Sequence, residues 1–384
     1  MTKPLILENV TVVNHDCLTE HCSVKIEGTQ IAAITKTNEN AIGIDCTGYY
    51  CLPGFIDMHI HGANGVDTMD ATITSLHQFA TALVAEGTTS FLATTMTQSE
   101  AIIEAALQNV ARFQQGMGEA NLLGIHLEGP FISPHCAGAQ PIEYIQLPSI
   151  EKYRRWHELS GNAIKQMTIA PEQGMELVNY AQQLGVVVSI GHSNATARET
   201  KEAIAQGVTQ GTHLYNQMRA MHHREPGVVG TVLLEKDVYV EMIVDFIHIH
   251  PEMVDLAYRL KGSEKIILIT DAMRAKGLAY GEYDLGGQEV HVTKSGAHLA
   301  NGALAGSVLK MNDALRNMQQ ATGASWQELA QMSSFNAAKQ LGLSQKGYIE
   351  VGKDADLVII DENFQVQYTI VNGQIVYSVS TDRH

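Results

Sequence analysis

Between residues 53 and 344 a short apolar run recurs eight times: GFIDMHIHG, TTSFLATT, NLLGIHLEGP, QMTIAPE, VVVSIGHS, TQGTHLYN, VEMIVDFIH and KIILITDA. Most are followed by stretches with helical spacing of their apolar residues, among them SLHQFATALVAEG, SEAIIEAALQNVARFQ, MELVNYAQQLG, ATARETKEAIAQG and HPEMVDLAYRLKG, and GSVLKMNDALRNMQQATG follows the last run. Alternation of this kind is the mark of repeated βα units and a parallel sheet. Eight units predict an α/β protein built on a (β/α)8 barrel. An open doubly wound sheet is the structural alternative, but no G-x-G-x-x-G follows the first run.

The flanks have a different texture. Residues 1 to 50 alternate apolar and polar in LILENVTVVN, CSVKIEGTQIAAI and IGIDCTGYYCLP, which reads as antiparallel strands. The same character returns in GYIEVGKDADLVIIDENFQVQYTIVNGQIVY, with a hairpin turn expected at Asn372-Gly373. We therefore expect one small β-sandwich domain formed by segments 1–52 and 345–384, attached to a barrel spanning 53–344.

A formal charge of -16, from 41 acidic and 25 basic residues, disfavours nucleic acid and anionic membrane as partners. No apolar run approaches the ~20 residues of a membrane helix, and the start MTKPLILENVTVVN lacks the layout of a signal peptide, so a cytoplasmic location is expected. The five cysteines (17, 22, 46, 51 and 136) show no C-x-x-C spacing, and reduced thiols are the default. An anionic substrate would need a local basic site.

A barrel of this type builds its site at the C-terminal ends of its strands. There the runs supply, in order, His59 and His61, Glu128, His192, His213, His248 and Asp271. A single histidine on an apolar strand is more often a hydrogen-bonded core residue, and a lone Asp after a strand is often a helix cap. The set behaves differently. Residues i and i+2 of a strand share a face, so His59 and His61 present two nitrogens to one point. Histidines gathered with two carboxylates on one rim form the nitrogen and oxygen donor set of zinc or a similar divalent ion.

These residues, with PGFIDMHIHG, HLEGPF, GHSNAT, THLYN, REPG, TDA, LAGS and the closing GYIEVGKDADLVIID, resemble the amidohydrolase superfamily and, within it, the N-acetylglucosamine-6-phosphate deacetylases. The first and last motifs are shared widely; HLEGPF with GHSNAT and THLYN is more specific. Many two-metal relatives bridge their ions with a carboxylated lysine at the end of the fourth strand, but Lys165 stands at the wrong end here and Glu128 would serve instead. The resemblance implies that Glu128, His192 and His213 hold the principal metal, with His59 and His61 forming a second site. One or two divalent ions per chain follow, zinc first, with iron, manganese or cobalt as alternatives.

The same resemblance makes Asp271 the general base and acid for hydrolysis of the acetamide. It brings Asn216 and Gln217 to the substrate phosphate through their backbone, and Arg224 to the same phosphate in the neighbouring subunit of a homodimer. His248 and positions Ala139, Gln140, Leu304, Ala305 and Gly306 complete the substrate contacts. Two positions depart from the family's habit: Gln217 where a small residue is common, and Gln140 where some relatives carry histidine. The first would crowd the phosphate site and the second removes a carbonyl-polarising imidazole. The competing functions are another amidohydrolase acting on a related phosphorylated N-acetyl amino sugar, and a non-enzymatic assembly protein that has lost its metal ligands. Retention of every expected ligand argues against the latter.

Overall fold

The computed structural model describes residues 3–37 and 42–379. Its centre is a barrel of eight parallel strands: β1 (Phe55–Ile60), β2 (Thr88–Thr94), β3 (Asn121–Glu128), β4 (Ile164–Ile169), β5 (Val187–Ile190), β6 (Val208–Gly211), β7 (Tyr239–Ile243) and β8 (Ile266–Ile269). Each lies beside its sequence neighbours, so the order around the barrel is the order along the chain. All eight coincide with the apolar runs. The reason is physical: helices cover the outside and side chains fill the inside, and β1, β2, β5, β7 and β8 are buried at every residue.

The ladder runs unbroken from β1 to β8, and the seam between these two strands closes differently. Asp271 N–H donates to His59 O at 2.8 Å and His61 N–H to Ala272 O at 2.9 Å. Lower in the seam, buried Asp57 accepts from the Thr270 hydroxyl at 2.6 Å and from the Thr270 N–H at 3.3 Å. The barrel therefore closes through the residues that carry the expected ligands.

Between the barrel strands, helices follow as read, with two additions. Ile150–Leu159 follows β3, and Gly227–Leu234 follows β6. The second is buried on almost every side, from Gly227 to Leu233, so it has no polar face to mark a helical period. Between β8 and the helix Met311–Thr322 the chain makes a three-stranded antiparallel meander, Gly281–Leu285, Gln288–Thr293 and Gly296–Leu299. The alternation in QEVHVT and the Gly286-Gly287 turn signal it, against an expectation that ran straight from strand to helix. Its inner face packs Leu285, Val290 and Ala297 against Met96, Met273 and Ala305.

The two termini form one eight-stranded sheet. Its order is Gln374–Ser378, Val366–Val371, Leu357–Ile360, Tyr50–Pro53, Leu5–Val13, Leu18–Glu27 and Gln30–Lys36, with Ile44–Asp45 also paired to Leu5–Val13. The expectation of antiparallel strands needs one correction: Leu5–Val13 runs parallel to both Ile44–Asp45 and Tyr50–Pro53. Tyr50–Pro53 takes the slot between the N- and C-terminal strands, parallel to Leu5–Val13 and antiparallel to Leu357–Ile360. The Asn372-Gly373 hairpin is present, with φ of 49° and 74°. Residues 380–384 of the C-terminal segment lie outside the described residues. All five cysteines are free thiols.

Below the barrel a helical segment, Trp326–Gln340, pins strand starts to the rest of the chain. Asn336 is buried, and its Nδ2 donates to both Ser263 O and Ile266 O at 2.7 Å. Asn336→Ala leaves two buried carbonyls at the foot of β8 without a donor. The expected loss is about 2–4 kcal/mol of unfolding free energy, read from the denaturant midpoint; a change below about 0.5 kcal/mol would show that the two bonds hold nothing.

Candidate active site

At the C-terminal mouth the expected residues meet around one carboxylate, Glu128, the last residue of β3. Its Oε1 stands 3.3 Å from His59 Nε2, 3.4 Å from His192 Nε2 and 3.2 Å from His213 Nε2. Its Oε2 stands 3.2 Å from His61 Nε2. His192 and His213 Nε2 are 3.1 Å apart. Asp271 Oδ1 closes the other side, 3.4 Å from His59 Nε2 and 3.2 Å from His61 Nε2. All six residues are buried.

Two sets of three donors emerge, His59 with His61 and Glu128, and Glu128 with His192 and His213. The spacings test whether an ion fits. Four ligands at ~2.0–2.1 Å in a tetrahedron lie roughly 3.3 Å from one another, which is the spacing throughout the Glu128, His192 and His213 set and between Glu128 and each histidine of the other. The atoms also fail to satisfy one another: Glu128 Oε1 and His59 Nε2 are buried and have no hydrogen-bond partner. Groups this close that do not bond are aimed at a common point between them. The residues fit a divalent ion in either set.

Behind the donors stands a polar layer that the sequence reading did not single out. Glu241 of β7, fully buried, places Oε2 3.0 Å from His59 Nδ1 and accepts the His213 N–H at 3.2 Å. Its Oε1 accepts the side-chain amides of Gln166 at 2.5 Å and Gln210 at 2.6 Å. His192 Nδ1 lies 2.7 Å from Cys136 O. A charged residue in the middle of the apolar run VEMIV was the available signal, since a buried carboxylate needs partners.

Electrostatics follow from burial and proximity. Burial pushes Glu128 up, but the imidazoles facing it outweigh burial and hold it well below the usual carboxylate range. Asp271 is lowered too, its burial overcome by His59 and His61. Burial works to lower His61, yet Asp271 and Glu128 push it up to about 10. Beside them His126 is pulled well below its ordinary value, chiefly by burial, and rests on Thr168 at 2.7 Å. It is a neutral core histidine, the bland case.

The cleft above this floor, about 460 Å³, is lined by His61, Glu128, Ala139, Gln140, His192, His213, Asn216, Gln217, His248, Asp271, Leu304 and Gly306, with Met96 and Leu285 as an apolar wall. His59 lies beneath it. Ala305, expected at the substrate, is instead fully buried in the meander's apolar cluster. Gln140 does not stand free: its Nε2 donates to Glu128 Oε2 at 2.9 Å while its Oε1 accepts the Thr97 N–H at 2.7 Å. Asn216 N–H already donates to His213 O at 3.0 Å, so the backbone contact expected of it is in use within the chain. Gln217 packs along Gly138, where an added Cβ would come within 2.8 Å of its Cδ. His248 Nδ1 is braced by Asp245 Oδ2 at 2.7 Å. Arg224 is exposed on a turn outside this chain's own cleft, beside His223. Lys165 is exposed at the start of β4, away from the donors.

The amidohydrolase family model matches residues 50–376, from the last strand before the barrel to the final hairpin. The chain belongs to the amidohydrolase family. Within it, the chain is 53% identical over 97% of both chains to an N-acetylglucosamine-6-phosphate deacetylase of Lysinibacillus sphaericus. The crystal structure of an N-acetylglucosamine-6-phosphate deacetylase from Thermotoga maritima covers 98% of this amidohydrolase and 100% of that chain, with a TM-score of 0.90 at 36% identity. A mutant deacetylase of Mycobacterium smegmatis in complex with N-acetyl-D-glucosamine-6-phosphate has a TM-score of 0.93 at 28% identity, covering 98% and 100%.

The raised His61 sets a pH rule for the metal-free amidohydrolase. Its folded value exceeds the unfolded value of about 6.5, so the stabilisation from its proton is complete below that value and is lost as pH rises through about 10. A metal must displace that proton. Loading near neutral pH is expected to release protons, and metal affinity should rise with pH; calorimetry in buffers of different ionisation enthalpy measures both. Affinity independent of pH, with no proton release, would contradict the ligand assignment.

Proposed function

We infer that this chain hydrolyses the acetamide of N-acetyl-D-glucosamine 6-phosphate to D-glucosamine 6-phosphate and acetate, a step of amino-sugar metabolism. The observation that carries it is the meeting of Glu128, four histidines and Asp271 at the mouth of a barrel whose relatives, matched over nearly their whole length, are deacetylases of this substrate.

Glu128, His192 and His213 are proposed to hold the principal ion, and His59 and His61, with Glu128 between the sets, a second. The nitrogen-rich donor set favours zinc, with iron, manganese or cobalt able to use it. Such an ion lowers the pKa of water and polarises the acetyl carbonyl. The chain's own residues do the rest. Asp271, ionised beside His59 and His61, takes the proton of the attacking water and delivers it to the departing amine. Gln140 braces Glu128 and brings no imidazole to the acetyl carbonyl. His248, held by Asp245, and the Asn216–Gln217 turn line the cleft where the sugar and its phosphate would lie.

Among the described residues no lysine or arginine lines the cleft. A phosphate of charge near -2 needs one, and exposed Arg224 supplies it best from a second subunit of a homodimer. A cytoplasmic setting suits an enzyme of phosphorylated sugars with free thiols, and no helix among the described residues is long and apolar enough to cross a membrane.

Hydrolysis of N-acetylglucosamine 6-phosphate beside its galactosamine and mannosamine epimers and the unphosphorylated sugar tests the reading. A clear preference for the first is expected; equal rates on the unphosphorylated sugar would sink the phosphate assignment. Asp271→Asn should keep its metal and lose turnover by about a hundredfold or more, and a near-normal rate would place the proton transfer elsewhere. Arg224→Ala should cost about 2–4 kcal/mol, or roughly thirty- to a thousandfold in kcat/KM on the phosphorylated substrate alone. Mixing Arg224→Ala with Asp271→Asn chains should restore about one working site per heterodimer. No rescue in verified heterodimers would return Arg224 to its own chain's site.

A further inference from the structure

Four histidines offer Nε2 to the donor cluster, and they differ in what holds the other ring nitrogen. His192 Nδ1 faces a backbone carbonyl, that of Cys136. His61 Nδ1 and His213 Nδ1 are buried without a partner. His59 alone faces a carboxylate, Glu241, with both side chains wholly out of solvent. Glu241 is surrounded by donors: the amides of Gln166 and Gln210 on Oε1, the His213 N–H on Oε2. A carboxylate so placed can only accept, so the hydrogen between it and His59 belongs to Nδ1 of the imidazole. In the neutral ring Nε2 then keeps its lone pair, at the point shared with Glu128 and Asp271.

We propose that Glu241 is the positioning residue of the second metal position: it fixes His59 as the Nδ1–H tautomer and so creates the donor atom that this position requires. The proposal rests on the reading of His59 and His61 as a second metal pair. Gln166 and Gln210 orient Glu241 in turn, and its bond to the His213 backbone ties the frame of one metal position to that of the other. Partners of this kind behind a ligating histidine raise its basicity and hold its ring.

Glu241→Gln changes one atom and reverses the logic. The two short bonds from Gln166 and Gln210, at 2.5 and 2.6 Å, hold an oxygen at the Oε1 place against the single longer His213 N–H at 3.2 Å, which turns the new NH2 group toward His59. It donates to Nδ1, the ring hydrogen moves to Nε2, and the lone pair at the ligand point is gone. Bound metal is counted after equilibration with graded zinc, and the tautomer of His59 is read from nitrogen NMR of the metal-free protein at alkaline pH, where the ring carries a single hydrogen. Wild type is expected to take two ions, with Nδ1–H at His59. Glu241→Gln should keep the tight ion, lose second-ion affinity by about 10- to 100-fold, and show Nε2–H, matching His59→Gln in stoichiometry. If Glu241→Gln fails to fold, Glu241→Asp, which keeps the charge but draws it back from His59, should fall between the two. A single ion in wild type would end the two-metal reading alone, because the tautomer still judges Glu241. Wild-type second-ion affinity with an unchanged tautomer in either variant overturns the proposal.

Discussion

One carboxylate with too many neighbours organises this molecule. Glu128 is out of solvent and is met by four imidazoles within 3.4 Å, with Asp271 beyond two of them. Left to protons alone, such a cluster is a set of coupled charges in a low-dielectric mouth, with Glu128 and Asp271 driven down and His59, His61 and His213 driven up. A divalent ion held by these donors would replace those protons with a single fixed charge. The barrel makes the arrangement reachable: strands far apart in sequence end on one ring, so β1, β3, β5, β6 and β8 can each contribute at the same height.

The donors also bend the backbone that carries them. His192, His213 and Asp271 have φ of 47°, 31° and 47°, in the left-handed region that side chains avoid. Each follows its strand by two residues and turns out of the ladder to bring its side chain over the axis. Residues held there cost on the order of 1–3 kcal/mol each, and surrounding contacts must hold them. They do: His192 O accepts the Ser133 N–H, His213 N–H reaches Glu241, and Asp271 N–H reaches His59 O. Gly191, just before His192, has no room for a side chain, since a Cβ would meet Thr212 at 2.6 Å.

What could be read from the chain was whatever leaves a local period. Strands covered on both faces gave unbroken apolar runs, and the two-residue spacing of His59 and His61 declared a shared face. Glu128, His192, His213 and Asp271 were legible because each ends such a run. The helix Gly227–Leu234 escaped because it is buried nearly all round. Glu241, Gln166 and Gln210 escaped because their meaning lies in one another: three polar side chains on three strands look like interruptions until the barrel brings them together. Ala305 was carried to the substrate by resemblance, whereas the meander folds it into an apolar cluster. The meander itself carried the right alternation, masked by the expectation that a helix follows each strand.

That meander divides the labour of the cleft. The floor, with every donor atom, belongs to the barrel strands and the turns at their ends, while Leu285 and Leu304 reach the cleft from a hairpin layer inserted after β8. Its three strands ladder with one another and with no barrel strand, and they meet the barrel mouth through side chains packed on Met96 and Met273. Its shape can therefore drift, widening or narrowing the space above the reacting bond, while the ring of ligands beneath keeps its geometry. In such a molecule substrate range and bond chemistry can be inherited separately, the first in a removable roof and the second in a closed cylinder.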